Sequence, residues 1–176
     1  MTTRPIAPSP TEPWLRGTLS EVPAVQRAVL HALELAREDL RRWCGGLRDD
    51  EVNARPAELP SVAFHLRHIA RSLDRLLTYA EGRNLNERQM AELKCEHDTG
   101  GTVKQLFEEL NSALDRSAMR VRAFDAAMLE QSREVGKSQL PATLGGLLVH
   151  IADHTQRHTG QAITTAKLLL AQRAQK

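Results

Sequence analysis

Two histidines four residues apart, His154 and His158, lie in the stretch LGGLLVHIADHTQRHTGQAITTAKLLL, residues 144–170. Around them apolar residues recur at Leu144, Leu147, Leu148, Ile151, Ala162, Leu168 and Leu169, the spacing of one helix face. At about 100° per residue both histidines fall inside the apolar stripe, and an i, i+4 pair projects from neighbouring turns of one face. Two imidazoles stacked in this way can hold one metal ion. Taken alone, the pair reads equally well as two hydrogen-bonded core histidines. A second histidine-bearing segment, SVAFHLRHIARSLDRLLTYAEG from Ser61 to Gly82, shifts the balance toward a site. His65 lies at the near edge of its stripe, and His68 lies further round, beside Ser72 and Tyr79. The helical wheel alone makes His65 the more buried of the two. Three neutral imidazoles converging from two helices would form a facial ligand set with positions left open, as in catalytic rather than structural sites. Such donors suit zinc, nickel, iron or copper, and a bound ion would lower the pKa of a water or a thiol.

The elements that must position these residues are helices. Pro23 opens a first helix, with Ser20 or Val22 near its cap, and Val25, Val29, Ala32, Leu35, Ala36 and Leu40 carry its stripe to about Trp43, where Gly45-Gly46 ends it. His31 within it reads as an ordinary helix residue. Residues 47–60, with Pro56 and Pro60, read as a connection. Ser61 caps the second helix, whose stripe is Val62, Leu66, Ile69, Leu73, Leu76 and Ala80, closed by Gly82. Asn86 with Gln89 resembles a capping box ahead of a short helix docked by Met90 and Leu93. Cys95, Glu96 and His97 sit in a polar stretch and read as no part of a site. Thr102 with Gln105 forms a second box, opening a third long helix that carries Phe107 and Phe124 and is expected to end near Glu130. A polar turn from Gln131 to Gln139 then leads through Pro141 and Thr143 into the histidine helix. Four long amphipathic helices without a strand signal predict an all-α four-helix bundle, and the connections after the first and second helices are long enough to cross it.

Length and composition set the bounds. At 176 residues the chain is one domain by length, with a Pro-rich arm at 1–19, the helical body at 20–172 and a tail at 173–176. Only 3% of residues are aromatic, which favours helix-on-helix packing. The net charge of +2 gives no basic footprint for nucleic acid. Cys44 and Cys95 form no Cys-x-x-Cys, which fits a reducing cytoplasm. No apolar run reaches membrane-spanning length, and the N-terminus has no secretory h-region.

The sequence also resembles the DinB-like (DinB/YfiT) superfamily of metal-dependent helical proteins, over about Val22 to Leu170. His154-Thr155-Gln156-Arg157-His158-Thr159-Gly160-Gln161 is similar to the family's His-x-x-x-His-x-Gly-Gln signature, and His68-Ile69-Ala70 to its helix-two histidine followed by an aliphatic residue and alanine. The resemblance implies His68, His154 and His158 as the metal ligands, against the wheel's preference for His65, whose place in the family is usually apolar. Where many members have His-His-Arg-Gly-Gln, this chain has Arg157-His158-Thr159-Gly160-Gln161, and the ligand spacing survives. His150 would pack or back up the ligands, and Gln161 would pack or form a hydrogen bond behind them. Arg157 and Arg71 read as exposed helix residues by default, with an anionic substrate as their other use. Family members include thiol-dependent transferases and a thiol-dependent isomerase. The resemblance therefore implies an enzyme of that type, with zinc or nickel bound, a low-molecular-weight thiol as co-substrate, and pairing as a homodimer. The alternative is a non-catalytic helical module for metal binding or sensing.

Overall fold

The computed structural model describes residues 11–96 and 100–175. Four long helices dominate: α1 (Ala24–Cys44), α3 (Val62–Ala80), α5 (Val103–Arg122) and α6 (Leu144–Arg173). Two short ones, α2 (Asp49–Asn53) and α4 (Glu87–Lys94), lie in the connections before and after α3. Both α1 and α3 pack on α6 and on α5, so α1 and α3 stand on opposite sides of a common core. The 17 residues from 45 to 61 carry the chain across from one to the other. Leu40, Leu66, Ile69, Leu73, Leu77, Leu110, Leu114, Leu148 and Ile151 are almost wholly buried there. Truncating one of these large side chains to Ala typically costs about 2–5 kcal/mol.

The helix starts follow local chemistry. Ser61 accepts a hydrogen bond from the Phe64 amide, Thr143 accepts one from Gly146, and Asn86/Gln89 and Thr102/Gln105 are reciprocal capping boxes. At α1 the cap position is Pro23 itself, in extended conformation and without a side-chain bond, rather than Ser20 or Val22. Its buried face is turned from the expected stripe: Gln26, Leu30 and Leu33 are buried, while Val25, Ala32 and Leu35 are half-buried.

Other expectations are corrected. The third long helix stops at Arg122, not near Glu130, because Asp125 caps a separate 3-10 turn, Ala126–Met128, through the Ala127 amide. Phe124 therefore lies beyond the helix, half-buried against the core. The polar turn is an antiparallel hairpin, β1 (Ser132–Val135) with β2 (Leu140–Thr143), so the described chain is not purely helical. Only Val135 and Ala142 of its apolar residues reach the core, too few to leave an alternating pattern. The backbone then clasps the start of α6: the Leu144 amide donates to Gln131 O and the Gly145 amide to Leu129 O, an approach so close that a Cβ on Gly145 would sit 3.2 Å from that oxygen. Leu93 is exposed, and it is Gln89 that docks α4, bonding Asp74 and Thr78 of α3. In the arm, Trp14 and Leu15 are exposed. Docking falls instead to buried Pro13 and to Arg16, which pairs with Glu34 and Glu38 of α1.

Candidate metal centre

Helices α3 and α6 face each other along a register that contact pairs make explicit. Thr165 meets Pro60, His158 meets His65, and His154 meets His68 and Ser72. Residue number rises on α3 as it falls on α6, so the two helices run antiparallel. On α3, His65, His68 and Ser72 share a face at spacings of three and four; on α6, His154 and His158 do the same. The result is a histidine cluster in which ligand-capable atoms of His68, His154 and His158 all lie within 4.8 Å of one another. His65 is the more buried histidine of α3, at 2% exposure against 17% for the His68 side chain, yet it is His68 that joins this set.

The outer nitrogens of the three rings are occupied. His68 Nδ1 lies 2.8 Å from Glu96 Oε2, His154 Nδ1 lies 3.5 Å from the Ser72 hydroxyl, and His158 Nδ1 lies 3.1 Å from His65 Nδ1. The Ser72 hydroxyl donates to Ile69 O and so faces His154 as an acceptor. A carboxylate can only accept. Protons on Nδ1 of His68 and His154 satisfy these bonds and leave each Nε2 bare. Those two Nε2 atoms face each other at 3.1 Å. Two lone pairs at that distance repel unless a proton or a cation lies between them. Two nitrogens each about 2.0–2.1 Å from a common ion, at about 90–109°, lie about 2.8–3.4 Å apart. The His68–His154 pair therefore fits a divalent ion in both chemistry and spacing, and His158 offers a third nitrogen within 4.8 Å of both.

Burial favours the neutral form of three of the rings. His65, His154 and His158 are each pushed from the usual 6.5 down to about 4, first by desolvation and then by the neighbouring imidazoles. Neutral rings are the form a cation requires. Burial pushes Glu96 upward, but hydrogen bonds from His68 and Arg75, with the Arg75 charge, outweigh it and hold the carboxyl below its ordinary range. Arg75 and Glu96 are both buried and in direct ion-pair contact. Phe64 covers one side of the cluster, its ring stacked on His68 at 5.4 Å between centroids.

Several expected roles fall elsewhere. His150 is exposed, with its ring 5.5 Å from that of His154. Gln161 is exposed rather than packed. Arg71 is largely buried and bonded to Glu109 and to the Glu92 carbonyl; Arg157 is exposed and paired with Asp153 at 2.6 Å. His31 sits apart, 3.3 Å from the Thr18 hydroxyl. His97 lies outside the described residues. Cys44 is buried, its thiol pushed up to about 12 by desolvation, and Cys95 is exposed; both are free. Glu96, set aside with Cys95 and His97 as part of a polar stretch, is instead the carboxylate that meets His68. It follows α4 in a stretch with no periodicity, and nothing local marks it as reaching back to α3.

Beside the cluster a cleft of about 450 Å³ is bordered by Leu59, Pro60, His65, Arg157, Gly160 and Thr164. At Gly160 the wall faces open space: a Cβ there would meet nothing within 4 Å. Another cleft of about 460 Å³, lined by Arg37, Arg41, Lys104 and Phe107, has no histidine among its lining residues.

Comparison with known proteins gives three findings. Residues 32–162 match the profile of a family described as the DinB superfamily. A search of curated proteins finds no match. Among solved structures, a conserved protein from Enterococcus faecalis is similar with a TM-score of 0.69 and 18% identity, over 85% of this chain and 99% of that one, a likeness of fold alone.

Proposed function

The chain belongs to the DinB superfamily, and from that premise we propose that it is a divalent-metal-dependent enzyme of the thiol S-transferase or isomerase type, built on a four-helix bundle of the DinB/YfiT kind. The observation that carries this reading is the pair of Nε2 atoms at 3.1 Å, inside a cluster whose outer nitrogens already have partners. His68, His154 and His158 are the proposed ligands, and zinc or nickel the proposed ions. Bound there, the ion would make a thiol or a water nucleophilic at neutral pH.

The chain's own residues supply the rest. Glu96 and Ser72 orient His68 and His154, and outer partners of this kind hold the tautomer and raise ligand basicity. Phe64 shields one side from water. The adjoining cleft has the volume expected for a small-molecule site. A low-molecular-weight thiol is the proposed co-substrate, in a cytoplasmic homodimer with no nucleic-acid partner.

The test is turnover. Metal-free protein, reloaded with zinc or nickel, is screened against thiol and electrophile pairs. Turnover that needs the ion and disappears in His154→Ala supports the enzyme. Stoichiometric ion binding with no turnover for any pair would point to the non-catalytic metal-binding or sensing module.

A further inference from the structure

We infer that His65 is a positioning residue that holds His158 in its ligand tautomer, and not simply a core histidine. The assignment rests on the metal reading proposed above and names a residue outside the ligand set.

The contact is His65 Nδ1 to His158 Nδ1 at 3.1 Å, with ring centroids 5.4 Å apart and planes at 44°. Two neutral imidazole nitrogens at that distance need one proton between them, carried by one ring and accepted by the other. The two choices have opposite consequences. If His65 donates, His158 accepts on Nδ1, and its own proton sits on Nε2, which blocks that nitrogen as a ligand. If His158 donates, His65 accepts and the Nε2 of His158 is free. Only the second choice lets His158 act with His68 and His154. The arrangement also completes a pattern. His68 donates outward to Glu96, His154 to Ser72 and His158 to His65, so each ligand ring has its own acceptor behind it.

The position of His65 suits this task. It is one turn before His68 on the same face of α3, and at 2% exposure water does not compete for its nitrogen. Phe64 meets both rings edge-on, at 5.2 Å from His65 and 6.4 Å from His158, and confines the pair. An apolar residue at 65 would fill the space and offer His158 no acceptor.

Two variants separate the roles. His65→Leu keeps the bulk and removes the acceptor. His65→Asn places a carbonyl oxygen near the position of Nδ1. Zinc affinity, measured by chelator competition, should fall about 10- to 100-fold in His65→Leu with one ion still bound, and should largely recover in His65→Asn. Nitrogen-15 spectra of the metal-free protein should show the Nδ1–H form of His158 in the wild type and a shift away from it in His65→Leu. Unchanged affinity in His65→Leu would overturn the assignment, as would complete loss of the ion, which would make His65 a ligand. If the wild type binds no zinc, the proposed function fails, and the His158 spectrum alone decides whether His65 is its acceptor. If His65→Leu does not fold, the wild-type spectrum and the His65→Asn affinity still decide.

Discussion

Glu96 places a buried carboxylate between two donors, the Nδ1 of His68 and the guanidinium of Arg75. Removing it leaves His68 without its outer acceptor and Arg75 with a buried, unpaired charge. Breaking a buried pair in this way typically costs about 3–5 kcal/mol. Glu96→Ala should therefore lower the melting temperature of the metal-free protein and weaken metal binding about 10- to 100-fold. Glu96→Gln keeps an acceptor for His68 and should bind metal more tightly than Glu96→Ala; equal affinities in the two variants would count against an orienting role. The histidines make a separate prediction about pH. Folded values near 4 for His65, His154 and His158 lie below their unfolded value of 6.5. Above pH 6.5 both states are neutral and the groups add no pH dependence. Between 6.5 and about 4 the unfolded chain takes up protons that the folded chain refuses, so stability falls as pH drops. Thermal melts of chelator-treated protein should show that decline across this window, and His154→Gln should make it shallower. A flat profile would mean that these rings are not held neutral by the fold.

Helix α3 sets the site, because it carries His65, His68, Ser72 and Arg75 on consecutive turns and begins one turn before the first of them. Its cap is the Ser61 hydroxyl, 3.1 Å from the Phe64 amide. Ser61→Ala should cost about 1 kcal/mol, read in denaturant melts, with little loss of metal affinity at full folding; no change in stability would show that the cap contributes nothing. This helix was legible in the sequence because its apolar residues keep a 3.6-residue period over five turns and its cap is a standard one. The same holds for the Asn86 and Thr102 starts. Elements of four or five residues, α2 and the hairpin, are too short to establish a period. The wheel ranks His65 as the deeper histidine of α3, and it is, but depth does not decide which ring clusters with His154 and His158: that is His68, three residues further on. Glu96 was discounted because its contact joins residues 28 positions apart, with the rest of α3 and all of α4 between them.

Across the whole molecule, the core absorbs Phe107 and Phe124 only in part, while Met119, Leu140 and Val149 are 65%, 61% and 59% exposed. The proposed homodimer would give these apolar side chains something to bury against. Light scattering at micromolar concentration should report a dimer of the 19.6 kDa chain, and a monomeric mass would refute it. Among the described residues no helix is long and apolar enough to cross a membrane. The central claim is that one divalent ion is held by His68, His154 and His158, and elemental analysis of untagged protein after incubation with zinc or nickel and removal of excess ion tests it most directly. The account predicts one ion per chain in the wild type and in His31→Ala, and almost none in His68→Ala, His154→Ala or His158→Ala. A full complement of metal in all three of those variants, or none in the folded wild type, would contradict it.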